Sequence, residues 1–229
     1  MATYNGESHL RAQLDSFVAQ TRPPDEVVIS DDGSTDGTVD LVDRWASEAP
    51  FDVKVMRDGH VGCSQNFGRA LAATGGDLVF LSDQDDVWMP HKIERVIDAA
   101  ESAPDVSVFI HDLELVGPNL EHSGQSKLDR LSGLGFPERA HIKGCCTAIR
   151  RSALDAALPI PVGEAHDAYL HALGGDRLLT RERLIRYRIH ETNTSTWQPN
   201  SLTPITRRYL LKRDLRLRAG KMRARLRHR

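Results

Sequence analysis

Residues 27–38 read Val27-Val28-Ile29-Ser30-Asp31-Asp32-Gly33-Ser34-Thr35-Asp36-Gly37-Thr38. A β-branched run that stops at two adjacent carboxylates and a Gly/Ser/Thr turn is a strand emptying into a polar loop, because branched side chains suit the pleated chain and Gly and Ser suit turns. The pattern recurs downstream, where the apolar residues 78–82 run into Asp83-Gln84-Asp85-Asp86. Carboxylates on adjacent residues repel, and turn amides are open to a partner, so each cluster calls for something cationic or polar.

Working outward, β-branched runs occupy residues 26–30, 53–56, 78–82 and 106–111. Between them, Leu10, Leu14, Phe17 and Val18 share one helical face, Val39, Leu41, Val42 and Trp45 another, and Phe67, Ala70 and Leu71 a third. Ile93, Val96, Ile97 and Ala100 follow Pro90 in the same way. Alternating strands and helices predict an α/β fold, a mainly parallel central sheet flanked by helices. In such sheets ligands bind beyond the carboxyl ends of strands, so both acidic clusters are expected to line one crevice.

The opening residues, Met1 to Glu7, read as a strand end and turn with almost no strand before them, so the first strand is expected to begin upstream of Met1. Residues 112–143, with Gly117, Pro118, Gly124, Gly133, Gly135 and Pro137, read as a long substrate-side loop. A buried strand is expected over 143–149, helices over 152–158 and 167–173, and a last strand over 184–189. The expected organisation is one domain over 1–195, with a nucleotide-binding half to about residue 112 and a variable acceptor half beyond it, and then a basic tail over 196–229.

From Thr206 to the end, eleven Lys or Arg face the single Asp214, so the remainder of the chain is acidic although the net charge is only -2. Leu210, Leu211, Leu215, Leu217 and Met222 could line an apolar face beside that basic one, which suits an anionic membrane surface; a solvated tail fits equally. One aromatic residue over 206–229, Tyr209, and an acidic body argue against nucleic acid. No apolar run is long enough to span a bilayer and no leader pattern opens the chain. The expected location is the cytoplasm, peripheral at the inner face of the plasma membrane. Cys63, Cys145 and Cys146 lack metal-ligand spacing and read as small buried side chains.

A hard divalent cation prefers carboxylate oxygen, and Mg²⁺ takes one or two carboxylates while leaving places for phosphate oxygens. Asp83-Gln84-Asp85 fits such a site, on which a diphosphate would be bridged; the same residues also fit a solvated turn capping the next helix. Asp31 and Asp32, beside the cap-like Ser34 and Thr35, suit hydrogen bonds from a base N–H or a ribose hydroxyl, or a simple helix start.

The segments 2–7, 26–38, 81–88, Gly144-Cys145-Cys146-Thr147, His166-Asp167 and Tyr187-Arg188-Ile189-His190-Glu191-Thr192-Asn193 together resemble family 2 glycosyltransferases, in particular their rhamnosyltransferase-like branch. The resemblance spans about residues 1 to 195. It implies the GT-A fold, a nucleotide-sugar donor, Mg²⁺ or Mn²⁺, and sugar transfer with inversion. By motif position, Thr3, Tyr4, Asn5, Glu7, Asp31 and Asp32 would surround the nucleotide. Asp83 and Asp85 match the Asp-X-Asp motif, with Asp85 the metal ligand and Asp83 nearer the ribose or sugar. Asp167 matches the general base, and Arg188 and His190 a late motif that contacts the diphosphate or closes over the donor, with His190 a further metal ligand. Where the family usually has aromatic residues after the base, this chain has Ala168 and Tyr169.

The implied reaction moves dTDP-rhamnose's sugar, or that of a UDP-sugar, to a surface polysaccharide or a glycan or lipid-linked glycan acceptor. Three other readings compete. A haloacid-dehalogenase-like phosphatase would use Asp83 and Asp85 and nominate Lys143, but Gly174-Gly175-Asp176 supplies only one later acid and Asp31-Asp32 is left unused. A nucleotidyltransferase would want a basic glycine-rich loop where Asn5-Gly6-Glu7 stands. A non-enzymatic nucleotide-sugar or glycan binding module has no use for intact Asp83, Asp85 and Asp167.

Overall fold

The computed structural model describes residues 1–57, 59–173, 175–191 and 193. Its first half alternates as the apolar spacing predicts: β1 (Ala2–Thr3), α1 (Glu7–Val18), β2 (Glu26–Asp31), α2 (Thr38–Glu48), β3 (Asp52–Met56), α3 (Cys63–Ala72), β4 (Leu78–Phe80), β5 (Val87–Trp88) and α4 (Lys92–Ser102). β1, β2 and β3 pair in parallel in that order, with Ala2 opposite Ser30 and Glu26 opposite Asp52. Leu10, Leu14 and Phe17 give α1 one buried face. Phe17 meets Trp45 of α2 and Trp88 of β5 edge-on, at centroid separations of 6.2 and 4.7 Å. Each such fully buried side chain contributes about 1.5–3 kcal/mol of burial free energy.

The second half departs from the expected pattern. Residues 112–143 are not one long loop: β6 (Val108–Val116) turns into β7 (His122–Ser126), and α5 (Lys127–Gly133) follows. The Gly117-Pro118 pair makes the hairpin turn, with Leu120 at φ 67 and the Gly117 N–H donating to Glu121 O. The Ser126 hydroxyl caps α5 by accepting from the Asp129 N–H at 3.0 Å, and Leu128 and Leu131 bury its inner face. The strand expected over 143–149 begins only at Thr147, after a 3-10 turn over Gly144–Cys146.

β8 (Thr147–Arg150), α6 (Arg151–Ala157), α7 (His166–Leu173) and β9 (Arg177–Arg188) complete the described elements. The second sheet runs β4-β8-β6-β9-β5, with β7 beside β6. Only β6 and β9 pair in parallel there and the other pairs are antiparallel, so this second sheet is mixed, whereas the β1-β2-β3 sheet is wholly parallel as expected. For β7 the cause is local, since a tight turn returns the chain antiparallel, whereas β8 against β4 and β6, and β5 against β9, are long-range pairings. Residues 196–229, including the basic stretch, lie outside the described residues, and no helix among those described is long and apolar enough to cross a membrane.

Candidate functional site

Asp31 ends β2 with both carboxylate oxygens occupied. Oδ1 accepts from the Thr3 hydroxyl at 2.8 Å and the Ser34 hydroxyl at 2.6 Å, and Oδ2 from the Gly33 and Ser34 N–H groups at 3.0 and 2.8 Å. A carboxylate offers about four lone-pair positions, so Asp31 is saturated and builds the loop. Asp32 accepts the Val61 and Gly62 N–H groups at 2.7 and 2.8 Å and keeps acceptor capacity. The loop after β1 is stitched to the same turn. Asn5, at φ 45, accepts the Thr35 N–H at 2.8 Å and its own N–H reaches Ser34 Oγ; Glu7 accepts the Gly37 N–H at 2.9 Å. Tyr4 leaves 53% of its surface exposed at the rim of this cradle.

The Asp83–Asp86 turn follows β4. Asp85 Oδ2 meets His190 Nε2 at 2.9 Å and accepts from Asn193 Nδ2 at 3.3 Å. Asp86 is fully buried; its Oδ1 accepts the Arg188 N–H at 3.1 Å, while Oδ2 has no hydrogen-bond partner. Burial, reinforced by Asp85, pushes the Asp83 carboxyl up to about 6, and burial with Asp85 and Asp83 holds Asp86 well above the ordinary range. Ligand atoms of Asp83, Asp86 and the buried Cys145 lie within 4.8 Å of one another. Beneath the turn, the buried Lys92 ammonium donates to Cys145 O at 2.8 Å and sits 3.8 Å from the Trp88 ring centroid; burial brings its pKa down to about 8.

In the second half of the chain, Asp167 lies in the first turn of α7, with Oδ1 accepting the Ala168 N–H at 2.6 Å. The adjacent His166 ring stacks on Phe67 at 4.0 Å, and burial lowers its pKa although Asp167 opposes the change. Lys143 donates to the Tyr187 hydroxyl at 3.0 Å. Although burial would lower the Lys143 pKa, Tyr187, Cys145 and Asp83 hold it above the ordinary lysine value.

One thiol shows that these pieces converge. Cys63, at the start of α3, is exposed where the sequence predicts a buried side chain, yet its thiol is pushed up to about 11 by partial loss of solvation and then by the carboxylates of Asp83, Asp167, Asp32 and Asp85. The two acidic clusters and Asp167 therefore all lie within electrostatic reach of this one thiol. The structure also brings His190 to Asp85, whereas Arg188 is 5% exposed and spends its guanidinium on the carbonyls of Asp85 and Pro118. Sequence reasoning missed Gln13, which reaches Ser82 Oγ at 3.0 Å, and the amide of Gln84, which bonds the Tyr4 backbone. It also missed Lys143 as a member of the site. The glutamines carried no sequence signal, because the residues they join lie 69 and 80 positions apart.

The donor set fits a divalent cation. Among the described residues the ligand atoms close enough to share one ion are those of Asp83, Asp86 and Cys145, whose two carboxylates suit Mg²⁺ or Mn²⁺ while the thiol does not; Asp85 pairs with His190 beside this group rather than within it.

Known proteins define first the fold and then the family. The fold is GT-A: a Pyrobaculum calidifontis mannosyltransferase solved with GDP-Man and Mn²⁺ superposes with a TM-score of 0.66, at 22% identity over 84% of this chain and 56% of its own. Staphylococcus aureus TarS solved with UDP-GlcNAc does so at 0.67, with 19% identity over 86% and 60%. The family follows from sequence. The sequence model of Glycosyl transferase family 2 matches residues 1–158, and the chain belongs to that family. An uncharacterised Nostoc glycosyltransferase is 30% identical over 84% of this chain and 64% of its own length, and a Shigella flexneri dTDP-rhamnosyl transferase, RfbG, is 34% identical over 43% and 36%. This chain spans roughly three-fifths of the length of its full-span curated relatives.

Proposed function

We propose that this protein is a metal-dependent, inverting glycosyltransferase that moves a sugar from a nucleoside diphosphate sugar to a hydroxyl of a surface polysaccharide or glycolipid. The observation that carries this reading is the convergence of Asp32, Asp83, Asp85 and Asp167 around the Cys63 thiol in a family 2 chain. The RfbG relative supports dTDP-rhamnose as donor, and the UDP-GlcNAc complex of TarS supports a UDP-sugar. A basic tail suits work at the cytoplasmic membrane surface on a lipid-linked acceptor.

In this reading Asp32 takes a base or ribose donor on its remaining lone pairs while Asp31 keeps the loop in shape. The exposed Tyr4 ring covers the nucleoside. Asp83 accepts from a ribose or sugar hydroxyl, and Asp85 with His190 would hold Mg²⁺ or Mn²⁺. Such a cation, when bound, supplies positive charge to the departing diphosphate. Asp167 removes the acceptor proton as the new C–O bond forms at the anomeric carbon; the bond to the diphosphate breaks on the opposite face, and its electron pair leaves with the nucleotide. Arg188 acts by fixing the Asp85 backbone.

The test is a panel of dTDP-rhamnose, UDP-sugars and GDP-sugars, assayed with Mn²⁺ and Mg²⁺ for release of the nucleoside diphosphate and for labelled product on membrane glycolipid extracts. Release with one nucleotide class, dependent on metal and on Asp167, supports the reading. Tight nucleotide-sugar binding with product formation indifferent to Asp167→Asn contradicts it.

A further inference from the structure

The residue between the two motif carboxylates has its own task. Gln84 uses both ends of its amide on one residue of the opposite loop: Oε1 accepts the Tyr4 N–H at 2.8 Å and Nε2 donates to Tyr4 O at 3.0 Å. This is the pattern by which a neighbouring strand would pair, supplied by a side chain from 80 positions away. On its other side the same loop is held by the Asn5 contacts to Ser34 and Thr35. The short segment that presents the exposed Tyr4 ring is thus pinned between the Asp31-Asp32 turn and the Asp83–Asp86 turn.

Gly6 records how closely the two meet. A Cβ there would stand 2.5 Å from Gln84 Oε1 and 2.6 Å from its Cδ, so any larger residue displaces the amide. Gly6 itself has φ -105 and ψ 7, which other residues adopt, so the glycine serves the close approach and not the backbone angle. A second, buried strut joins the same parts, with Gln13 of α1 donating to Ser82 Oγ at 3.0 Å and that hydroxyl donating to Asp83 O at 3.0 Å. Gln13 is fully buried and belongs to the core, whereas the Gln84 bonds lie at the exposed rim.

We infer that Gln84 is a positioning residue that fixes the nucleoside-covering loop to the cation turn, so that a residue of the Asp-X-Asp motif sets nucleoside affinity without touching the nucleoside. The inference rests on the reading of this crevice as a nucleotide-sugar site. Because the loop is pre-ordered by the clamp, its loss adds an ordering cost to nucleotide binding even where no metal takes part. The cation ligands Asp85 and His190 are left as they are.

The experiment is titration calorimetry with UDP, dTDP and GDP in EDTA, and of Mn²⁺ alone, on the wild type and on Gln84→Met and Gly6→Ala. The first variant keeps the side chain's length without its polar ends; the second keeps the glutamine and pushes it aside. Both should weaken metal-free binding of the preferred nucleotide by about five- to twentyfold, the equivalent of one to two hydrogen bonds, with Mn²⁺ affinity unchanged. Wild-type binding retained at full strength in both folded variants overturns the positioning role alone. A parallel loss of Mn²⁺ affinity also overturns it, since the turn itself would then have collapsed. A wild type that binds none of the nucleotides overturns the nucleotide-sugar reading, and the inference with it.

Discussion

Two sets of aspartates flank this crevice and solve opposite problems. In the cradle, Asp36 meets a desolvation that would raise its pKa, yet the Thr38 hydroxyl and N–H and the Glu7 N–H bring it below the ordinary carboxylate value. Across the crevice, burial and the neighbouring Asp85 carry Asp83 up to about 6. In the first set Asp31 and Asp36 have their donors built in and are complete as folded, while Asp32 alone keeps acceptor capacity. The second is crowded and short of donors, which is the condition of a site that awaits a cation and a hydroxyl. The same residue type is thus scaffold on one wall and chemistry on the other, and what separates them is the supply of N–H and O–H groups.

Replacing the base should separate the walls most sharply. Asp167→Asn is expected to lower turnover by about 10²- to 10⁴-fold, with nucleotide affinity unchanged by calorimetry. Comparable loss of both would mean that Asp167 shapes the donor pocket instead. On the scaffold wall, Asp31→Asn places an amide N–H against donors that now meet oxygen. It should cost about 1–3 kcal/mol of stability in chemical denaturation, and weaken nucleotide binding only through the loop. An Asp31→Asn protein of wild-type stability would show that the four hydrogen bonds do not hold the cradle.

Lys92 gives an effect with a defined sign. Its pKa is about 8 in the fold against an ordinary 10.5, so between those values the unfolded chain binds the proton more tightly. Stability from this group therefore rises with pH across that window. Relative to Lys92→Met, the wild type should gain roughly 3 kcal/mol as the pH is raised through it, read from paired denaturation curves. A difference that is flat with pH would place the Lys92 ammonium in contact with water.

How much of this was readable beforehand depended on whether the physical signal was local. Val27-Val28-Ile29 and the Leu10, Leu14, Phe17 face announce β2 and α1, because burial periodicity is written along the chain. β7 has no such period: His122 to Gln125 are all exposed at the sheet margin, and its turn residues alone resemble a loop. The pairing of β8 between β4 and β6 is a long-range fact that no spacing encodes. The site divides in the same way. Asp83, Asp85 and Asp167 stood out by type and motif. The saturation of Asp31, the inward turn of Arg188 and the Gln84 clamp depend on partners 28 to 103 residues away or on loop geometry.

The central claim is that the Asp83–Asp86 wall holds a cation that strengthens the grip on a nucleoside diphosphate. The most direct measurement is the affinity of UDP, dTDP and GDP by calorimetry, with and without saturating Mn²⁺, for wild type and Asp85→Asn. Mn²⁺ should tighten one of these nucleotides at least tenfold in the wild type and leave its affinity for Asp85→Asn unchanged. Equal tightening in both proteins, or no effect of Mn²⁺ on a nucleotide that binds, would contradict the account.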